Sequence, residues 1–310
     1  MTLENVIYKY FPREAKISVQ QYKGGAMNLT YHLKVGEHNV VQEYILQKKN
    51  PIFDVSVMED VDFIIKHLVA KKIETQKVVR TRSGEMFVRD NNSWWQMLTY
   101  LPGEIFSVVT SPLQAKEAGR LVGIFHNALI DCHYEFKFHL PHYHDADFDM
   151  GKLRSALAEN KNTDKYHQLK NLAEDILFSY EKLSKLMSLP KRIIHDDLKI
   201  TNVLFSQAGK AVALIDLDTL TYGTIAVELG DALRSWCMPD GEDASVARFD
   251  KETYESALEG YFSTATFLTP EEKEAIPYGV KLITLELAAR FVTDAFNESY
   301  FKLDTSKYKN

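Results

Sequence analysis

The stretch of residues 193–205, which reads IIHDDLKITNVLF, constrains this chain more than any other. Apolar residues lead into His195 and follow Asn202, and this pattern predicts two buried strands joined by a short polar connection. A third apolar run, at residues 213–215, ends in the sequence DLD at residues 216–218. Two carboxylates and an amide are therefore expected at the ends of strands, where a rigid core can hold them in place.

The polar positions of this stretch have the spacing of a phosphoryl-transfer site. They follow the order His-x-Asp-Leu-Lys-x-x-Asn of the kinase catalytic loop, at His195, Asp197, Lys199 and Asn202. Asp216 stands where a metal-binding aspartate should follow. A polar hairpin whose carboxylates only cap turns would not need four residue types at fixed offsets and a second motif behind them. The pattern therefore predicts a kinase that uses ATP and Mg²⁺.

Length and composition set outer limits on the fold and on the partners. At 310 residues the chain is long enough for two lobes, and we expect a nucleotide-binding lobe at 1–100 and a catalytic and substrate-binding lobe at 101–310. The net charge of -6 argues against a nucleic-acid partner. No apolar run reaches the length of a membrane span, and the first residues lack the apolar core of a signal peptide. Only Cys132 and Cys237 occur, which favours a reducing cytoplasm.

The first hundred residues predict a five-stranded sheet with one helix. Gly24 and Gly25 mark a turn between two strands, which either lies over phosphates or is simply a turn, and Asn28 could add a side-chain donor there. The segment of residues 100–103, YLPG, breaks the sheet and is a plausible hinge. We expect Met97 and Tyr100, beside this hinge, to contact the nucleotide.

A nucleotide kinase usually places a cation on the strand after the phosphate loop and pairs it with a helix glutamate. The run YILQKK at residues 44–49 leaves open whether Gln47 or Lys48 reaches the nucleotide, because the two project to opposite faces of the strand. Glu59, beside the apolar stripe of the next helix, is the candidate partner of that cation or a surface residue.

The remaining two thirds of the chain read as mainly helical. Capping boxes at residues 111–114 and 269–272 predict two helix starts. The segment of residues 139–149 gathers histidines and aspartates but lacks the second half of a zinc pattern. The final helix carries Arg290 and Asp294 one turn apart, where they either face a substrate cleft or pair with each other on the surface.

Several segments together resemble one enzyme superfamily. The sequences HDDLKITNVLF, VALIDLDTLTYGT and ELGDALRS, with YILQKKN, TYLPGE and LELAARFVTDAFNESYFK, are similar to the aminoglycoside phosphotransferase and choline kinase superfamily, small-molecule relatives of protein kinases. Within it they look most like the N-acetylhexosamine 1-kinase branch. The resemblance covers nearly the whole chain. It implies an α+β, bilobal protein-kinase-like fold with a small β-rich N-terminal lobe and a larger, mainly helical C-terminal lobe.

The resemblance also implies a role for each site residue. Asp197 looks like the catalytic base, and Asn202 and Asp216 look like the magnesium ligands. His195 resembles the residue that orients the loop, and Lys199 one that steadies the transferred phosphoryl group. Candidate contacts to the acceptor are Asp197, Asp218, Arg290 and Asp294.

The expected acceptor is a small hydroxylated molecule, with a sugar or N-acetylhexosamine favoured. An aminoglycoside, choline or homoserine is the alternative acceptor, and a kinase-like binding module is the alternative from another functional class. The sequence DLD at 216–218 replaces the DFG of protein kinases, and no APE-like segment follows, which argues against a protein kinase. The oligomeric state stays open.

Overall fold

An antiparallel sheet with a helix on each side forms the N-terminal lobe. The structure is a computed structural model that describes residues 1–22, 28–37, 40–183, 188–240 and 246–297. The strands are β1 (Lys16–Gln21), β2 (Leu29–Glu37), β3 (Val40–Lys49), β4 (Val78–Val79), β5 (Phe87–Asp90) and β6 (Ser93–Thr99). Their order is β1-β2-β3-β6-β4, and β5 also pairs with β6. The described sheet therefore has six strands rather than the predicted five.

The two faces of this sheet serve different purposes. Helix α1 (Leu3–Tyr10) packs on one face, against Leu46, Trp95 and Met97. Helix α2 (Val57–Ala70) belongs to the main core, together with helices of the second lobe. In the register of β3 and β6, Gln47 lies opposite Gln96. Since side chains alternate along a strand, the side chains of Gln47 and Gln96 point away from α1, toward the second lobe.

The C-terminal lobe is mainly helical, with two short two-stranded sheets. Its helices are α3 (Pro112–Leu129), α4 (Ala146–Glu159), α5 (Asp164–Glu181), α6 (Ile225–Trp236), α7 (Lys251–Phe262) and α8 (Pro270–Asn297). Its strands are β7 (Lys191–Ile194), β8 (Val203–Phe205), β9 (Ala211–Leu214) and β10 (Thr221–Thr224), with β7 paired to β10 and β8 to β9. The chain thus has the expected bilobal α+β fold, and the boundary after residue 100 stays a prediction.

Side-chain caps start two of these helices where the sequence predicts them. The hydroxyl of Ser111 accepts a hydrogen bond from the Gln114 amide at the start of α3. At the start of α8, Thr269 and Glu272 each bond the amide of the other, which is a complete capping box. Both predicted helix starts are confirmed.

Helices α6 and α8 cross at two glycines with almost no space between their backbones. A Cβ atom on Gly279 would lie 1.7 Å from the Ala226 oxygen, and one on Gly230 would lie 2.5 Å from the Gly279 carbonyl carbon. Only glycine permits this approach. The crossing fixes the part of α8 that follows Gly279 against the side chains of α6, and both elements contribute to the site described below.

The connection between the lobes is attached to the second lobe. Glu104 and Phe205 exchange both backbone hydrogen bonds, at 2.7 and 2.9 Å. A Cβ atom on Gly103 would lie 2.6 Å from the Leu204 side chain, so a glycine is required there. Among the residues that the structure describes, no helix combines the length and the apolar character needed to cross a membrane.

Candidate active site

A buried carboxylate of α6 holds the loop between β7 and β8 in place. Glu228, on α6, accepts hydrogen bonds from the backbone amides of His195 at 2.9 Å and Asp196 at 2.8 Å. Burial opposes the charge of Glu228, yet its bonds to His126 and to the His195 amide lower its pKa. His195 is buried, and its Nε2 donates to the Ile215 carbonyl at 3.0 Å. His195 therefore joins this loop to the segment that carries Asp216 and orients the loop rather than contacting a ligand.

Asp197 lies at the centre of the loop and has contacts from three sides. Asn202 Nδ2 donates to the Asp197 carbonyl at 2.8 Å and to its Oδ2 at 3.1 Å. Lys199 Nζ lies 2.9 Å from Oδ1, and the Tyr143 hydroxyl donates to the same oxygen at 3.4 Å. Burial opposes the charge of Lys199, but its ion pair with Asp197 outweighs this and raises the pKa of the ammonium group. These contacts fix the carboxylate in one orientation.

Asp216 and Asn202 have the oxygens that a magnesium ion needs. Asp216 adopts a left-handed backbone conformation, with φ 63° and ψ 58°, directly before a short 3₁₀ turn. Its Oδ1 is buried and accepts no hydrogen bond. The Ile215 amide donates to the Asn202 carbonyl at 3.0 Å, so the two segments are adjacent. Asn202 Oδ1 takes part in none of the bonds to Asp197, and hard oxygen ligands of this kind suit Mg²⁺.

The cation of the nucleotide lobe is Lys49, which the sequence did not single out. Its side chain is fully buried, and its Nζ contacts Asp218 and lies 4.0 Å from Asp216 Oδ1. It also donates to Gln47 Oε1 at 2.9 Å. Gln47 therefore faces the cleft and positions Lys49. Lys48 points to the other face, where it pairs with Asp90 at 3.1 Å, so the expectation that Lys48 reaches the nucleotide is wrong.

Asp218 belongs to the nucleotide side of the cleft rather than to the acceptor side. It is buried, and Asn28 Nδ2 donates to the same Oδ2 that Lys49 contacts, at 3.4 Å. Burial raises the pKa of Asp218, and the Lys49 charge counteracts this. The assignment of Asp218 as an acceptor contact is therefore corrected: Lys49 and Asn28, both from the first lobe, contact its Oδ2.

Two further predicted nucleotide contacts lie elsewhere. Glu59 is exposed and pairs with Lys137, whereas its neighbour Asp60 is buried and accepts bonds from the Lys137 and Phe138 amides. The carboxylates at the start of α2 thus hold the 134–138 segment and not Lys49. Met97 is fully buried against α1 because it lies one residue out of phase with Gln96 and Leu98. Neither Glu59 nor Met97 faces the cleft.

The hinge residue Tyr100 stacks on a histidine of the sheet. The rings of Tyr100 and His32 are 4.5 Å apart at an interplanar angle of 21°, and Tyr22 stacks on the other side of His32 at 5.9 Å. His32 lies opposite Ile45 in the register of β2 and β3, on the same face as Gln47 and Lys49. The predicted turn residues Gly24 and Gly25 lie outside the described residues.

Beyond Asp197, charged side chains from three elements lie close together. Arg290 Nη1 lies 4.0 Å from Glu286 Oε1 on α8, and Asp294 is buried one turn further along, which rules out the exposed surface pair. His144 is buried, and its Nδ1 lies 3.6 Å from Glu286 Oε1. Asp231 on α6 pairs with Arg234 at 3.7 Å. His144, Asp231 and Glu286 are distant in sequence, and no local motif marks them as parts of one site.

Burial alters the carboxyl groups of this region. It raises the pKa of Asp196 well above its ordinary value and also raises the pKa of Asp231 and Asp149. The pKa of the Tyr143 hydroxyl is raised by burial and by the charge of Asp197, so Tyr143 stays a neutral donor. No group of three or more histidine, cysteine or acidic side chains that could hold a metal occurs within the described ranges.

Comparisons with known proteins agree with this arrangement. The phosphotransferase enzyme family matches residues 18–263. An aminoglycoside phosphotransferase from Alicyclobacillus acidocaldarius subsp. acidocaldarius DSM 446 has the same fold, with a TM-score of 0.69 and 12% identity over 99% of this chain and 89% of that one. For a choline kinase from Cryptosporidium parvum Iowa II the values are 0.60 and 13% over 95% and 89%.

A third solved structure contains a nucleotide and an acceptor. It is a spectinomycin phosphotransferase in complex with ADP and spectinomycin, with a TM-score of 0.55 and 12% identity over 96% of this chain and 94% of that one. At such identities the likeness shows the fold, whereas the family match covers most of the chain. The chain belongs to the phosphotransferase enzyme family and is a small-molecule kinase that uses a hydroxyl group as its acceptor.

Proposed function

We propose that this enzyme transfers the γ-phosphoryl group of ATP, with Mg²⁺, to a hydroxyl of a neutral sugar, with an N-acetylhexosamine favoured. The observation that carries the phosphoryl-transfer part is the adjacency of Asp197, Asn202 and Asp216 in one cleft, with Lys49 opposite. The ADP bound in the spectinomycin phosphotransferase supports an adenine nucleotide as the donor.

In the proposed reaction each residue acts through the atoms described above. Asp197 orients the acceptor hydroxyl and takes its proton as the new P–O bond forms, while the bond between the γ-phosphorus and the β,γ-bridging oxygen breaks and ADP leaves. Lys199, held beside Asp197, places a positive charge next to the developing negative charge. Asn202 Oδ1 and Asp216 Oδ1 would hold the magnesium, which neutralises charge on the phosphates when it is bound. Lys49 supplies a fixed positive charge on the nucleotide side.

The nucleotide base has a candidate position beside the hinge. The stacked rings of His32 and Tyr100 offer an aromatic edge on the cleft face of the sheet, next to the backbone of residues 100–103. Aromatic surfaces and backbone polar groups together suit a purine. We therefore assign Tyr100 and His32 to the base and Gln47 and Asn28 to the support of Lys49 and Asp218.

The balance of charge beyond Asp197 supports a neutral acceptor. A polycation would need several ionised carboxylates without cationic partners. Here His144 and Arg290 both lie near Glu286, and Arg234 pairs with Asp231, so these carboxylates have cationic partners. Mixed donors and acceptors of this kind match the hydroxyl and amide groups of a sugar.

The alternative functions make different demands on the site. An aminoglycoside or choline would need carboxylates whose charge is not already balanced by His144, Arg234 or Arg290. A kinase-like binding module would have no use for Lys49 buried against Asp218. We also place the enzyme in a reducing cytoplasm, since Cys132 and Cys237 are both buried, free thiols.

A screen of ADP formation tests this proposal. The purified protein would be incubated with ATP and Mg²⁺ and with N-acetylglucosamine, N-acetylgalactosamine, galactose, kanamycin, choline or homoserine in turn. We expect acceptor-dependent ADP only with neutral sugars, and none from the Asp197→Ala variant. ADP formation with kanamycin or choline alone would contradict the sugar assignment, and its absence with every acceptor would contradict a kinase of this substrate range.

A further inference from the structure

A buried histidine with no hydrogen bond on either ring nitrogen lies in the turn before α4. His144 has a left-handed backbone, with φ 49°, and neither Nδ1 nor Nε2 has a hydrogen-bond partner. Its neighbour His142 has a similar φ of 55°, but its side chain is half exposed and its Nδ1 lies 3.0 Å from Asp145. A polar ring buried without partners is costly to a fold, and such groups concentrate where a ligand supplies the missing bonds.

Two carboxylates near His144 also have unused oxygens. Glu286 Oε2 and Asp231 Oδ2 are buried and accept no hydrogen bond, although Glu286 Oε1 lies 3.6 Å from His144. The three groups come from three elements, namely the turn before α4, helix α6 and helix α8. The glycine crossing of α6 and α8 fixes the last two relative to each other.

These unused groups lie next to the position of the reacting hydroxyl. Tyr143, which directly precedes His144, donates to Asp197 Oδ1 at 3.4 Å. The charge of Asp231 acts on both His144 and Asp197, so Asp231 lies near both of them. An acceptor whose hydroxyl reaches Asp197 would therefore present its neighbouring groups to His144, Asp231 and Glu286.

We propose that His144, Asp231 and Glu286 form the specificity site for the groups that flank the phosphorylated hydroxyl of a polyhydroxylated acceptor. His144 donates from its ring nitrogens to acceptor oxygens, and the two carboxyl groups accept from acceptor hydroxyls. A quaternary ammonium group can neither accept the histidine bond nor donate to the carboxylates. This assignment rests on the proposed function, because it specifies which groups of the acceptor the site recognises.

The charge state of His144 agrees with its role as a donor. Burial opposes a charged imidazole, but the contact with Glu286 and the charges of Asp231 and Asp196 raise the pKa of His144 to about 10. At neutral pH both ring nitrogens are therefore donors. The same charge repels a cationic acceptor.

Binding measurements with a matched pair of histidine variants test the inference. His144→Gln keeps a donor of similar reach without the charge, and His142→Gln is the control in the same turn. Calorimetry with N-acetylglucosamine, galactose and choline would be run in the presence of ADP and Mg²⁺. We expect His144→Gln to weaken sugar binding by about tenfold or more, with unchanged ADP affinity, and His142→Gln to bind like the wild type.

Binding of deoxy sugars distinguishes a direct hydrogen bond from His144 to the acceptor from a general disturbance of the site. Removing the hydroxyl that contacts His144 should weaken binding to the wild type and have little further effect in His144→Gln, because the two changes delete the same bond. A purely structural role of His144 would make the two losses multiply. If His144→Gln does not fold, Glu286→Gln replaces it, with the same expectation for a deoxy sugar that lacks the hydroxyl facing Glu286.

Each outcome bears on the inference separately from the proposed function. Equal sugar affinity in the wild type and His144→Gln overturns the inference even if the enzyme phosphorylates sugars. Failure of every neutral sugar to bind the wild type overturns it as well, and ADP formation with choline would then show that the kinase assignment survives. Sugar binding that depends on His144 without any ADP formation would uphold the inference while the proposed function fails.

Discussion

Lys49 and Asp218 form a buried ion pair that joins the sheet of the first lobe to the segment directly after Asp216. The cation that we propose for the nucleotide site is thus fixed by the segment that carries Asp216, the proposed metal ligand. Helix α2 does not hold it, since Glu59 pairs with Lys137 and Asp60 accepts bonds from the 134–138 segment. The position of Lys49 therefore depends on the same residues that position Asp216.

Replacement of Lys49 is expected to reduce both activity and stability. Lys49→Met removes the charge that faces the phosphates, and it leaves Asp218 buried without its cation. Breaking a buried pair costs about 3–5 kcal/mol of unfolding free energy, and we expect kcat/KM for ATP to fall by about a hundredfold or more. Urea unfolding and initial rates at varied ATP would measure the two effects.

Lys48 provides the control for Lys49, since it adjoins Lys49 in the chain but lies on the opposite face of β3, near Asp90 and Trp95. Lys48→Met should leave kcat/KM for ATP almost unchanged. A loss of ATP use with Lys48→Met and none with Lys49→Met would reverse our assignment of the two lysines.

Replacement of Asp197 should remove turnover but not nucleotide binding. Its carboxylate is held by Asn202 and Lys199, and general-base assistance contributes about a hundredfold to ten-thousandfold. We expect Asp197→Ala to lower kcat by that range while the ADP dissociation constant changes little. Asp240→Ala, at an exposed pair with Arg248, is the control and should retain wild-type kcat. An Asp197→Ala enzyme with near-normal kcat would exclude Asp197 as the base.

Substitution of Gly279 in α8 is expected to destabilise the protein. Gly279→Ala would force a methyl group to within 1.7 Å of the Ala226 oxygen. Overpacking of this kind costs about 1–3 kcal/mol or more, and the resulting shift of α8 should also raise KM for the acceptor. Gly151→Ala in α4, where no atom lies within 4 Å of the new methyl group, should instead stabilise by about 0.5–1 kcal/mol. Thermal unfolding of the two variants would compare them, and equal effects would contradict the close crossing.

Stability should fall with rising pH in the range where His144 titrates. The pKa of His144 is raised to about 10 in the folded state, whereas an unfolded histidine titrates near ~6.5. The folded state therefore holds an extra proton between these values. The stabilisation is complete below pH ~6.5 and is lost as pH rises toward the folded-state pKa, at up to about 1.4 kcal/mol per pH unit.

The difference in unfolding free energy between the wild type and His144→Gln isolates this effect. The groups that face the ring are Glu286 from α8, Asp231 from α6 and Asp196 from the catalytic loop, and all of them are present in both proteins. We expect the difference to be largest near pH 6 and to shrink toward pH 9. A difference that stays constant across this range would show that His144 is not held in its charged form.

The sequence could group the residues of the predicted catalytic loop because they are close together in the chain, and their catalytic roles stay a prediction. His195, Asp197, Lys199 and Asn202 lie within eight positions, and hydrogen bonds within that short span hold Asp197 and Asn202 together. Asp216 is recognisable too, since a buried strand leads directly into it. These positions need no knowledge of distant contacts.

The nucleotide side was harder to predict because a strand has two faces. Moving the assumed inward face by one residue exchanges Lys48 for Lys49 and Met97 for Gln96 or Leu98. Both errors have the same cause, because the sequence of neither β3 nor β6 shows which face of the strand points toward the second lobe. Pairing with Asp218, far away in sequence, selects Lys49, and packing against α1 selects Met97 for the core.

The sequence could not predict which side chains meet on the proposed acceptor side of the site. His144, Asp231 and Glu286 are separated by more than fifty residues each, and the approach of α6 and α8 at two glycines brings the last two together. Arg290 and Asp294 were suggested by their positions on the last helix. The segment at 139–149 looked like a weak metal-binding motif. The sequence does not show which of its histidines is buried, and His144 could not be singled out.

The buried carboxylate of Glu228 has a consequence for which substitutions the proposed active site can accept. Glu228 holds the loop amides and also bonds His126, which in turn contacts the Tyr261 hydroxyl at 3.0 Å, so the reacting loop is anchored in the lobe's interior. The groups that we propose to contact the acceptor lie in the turn before α4, on α6 and on α8. Substitution of these groups should therefore change acceptor binding while the hydrogen bonds from the loop amides to Glu228 stay in place.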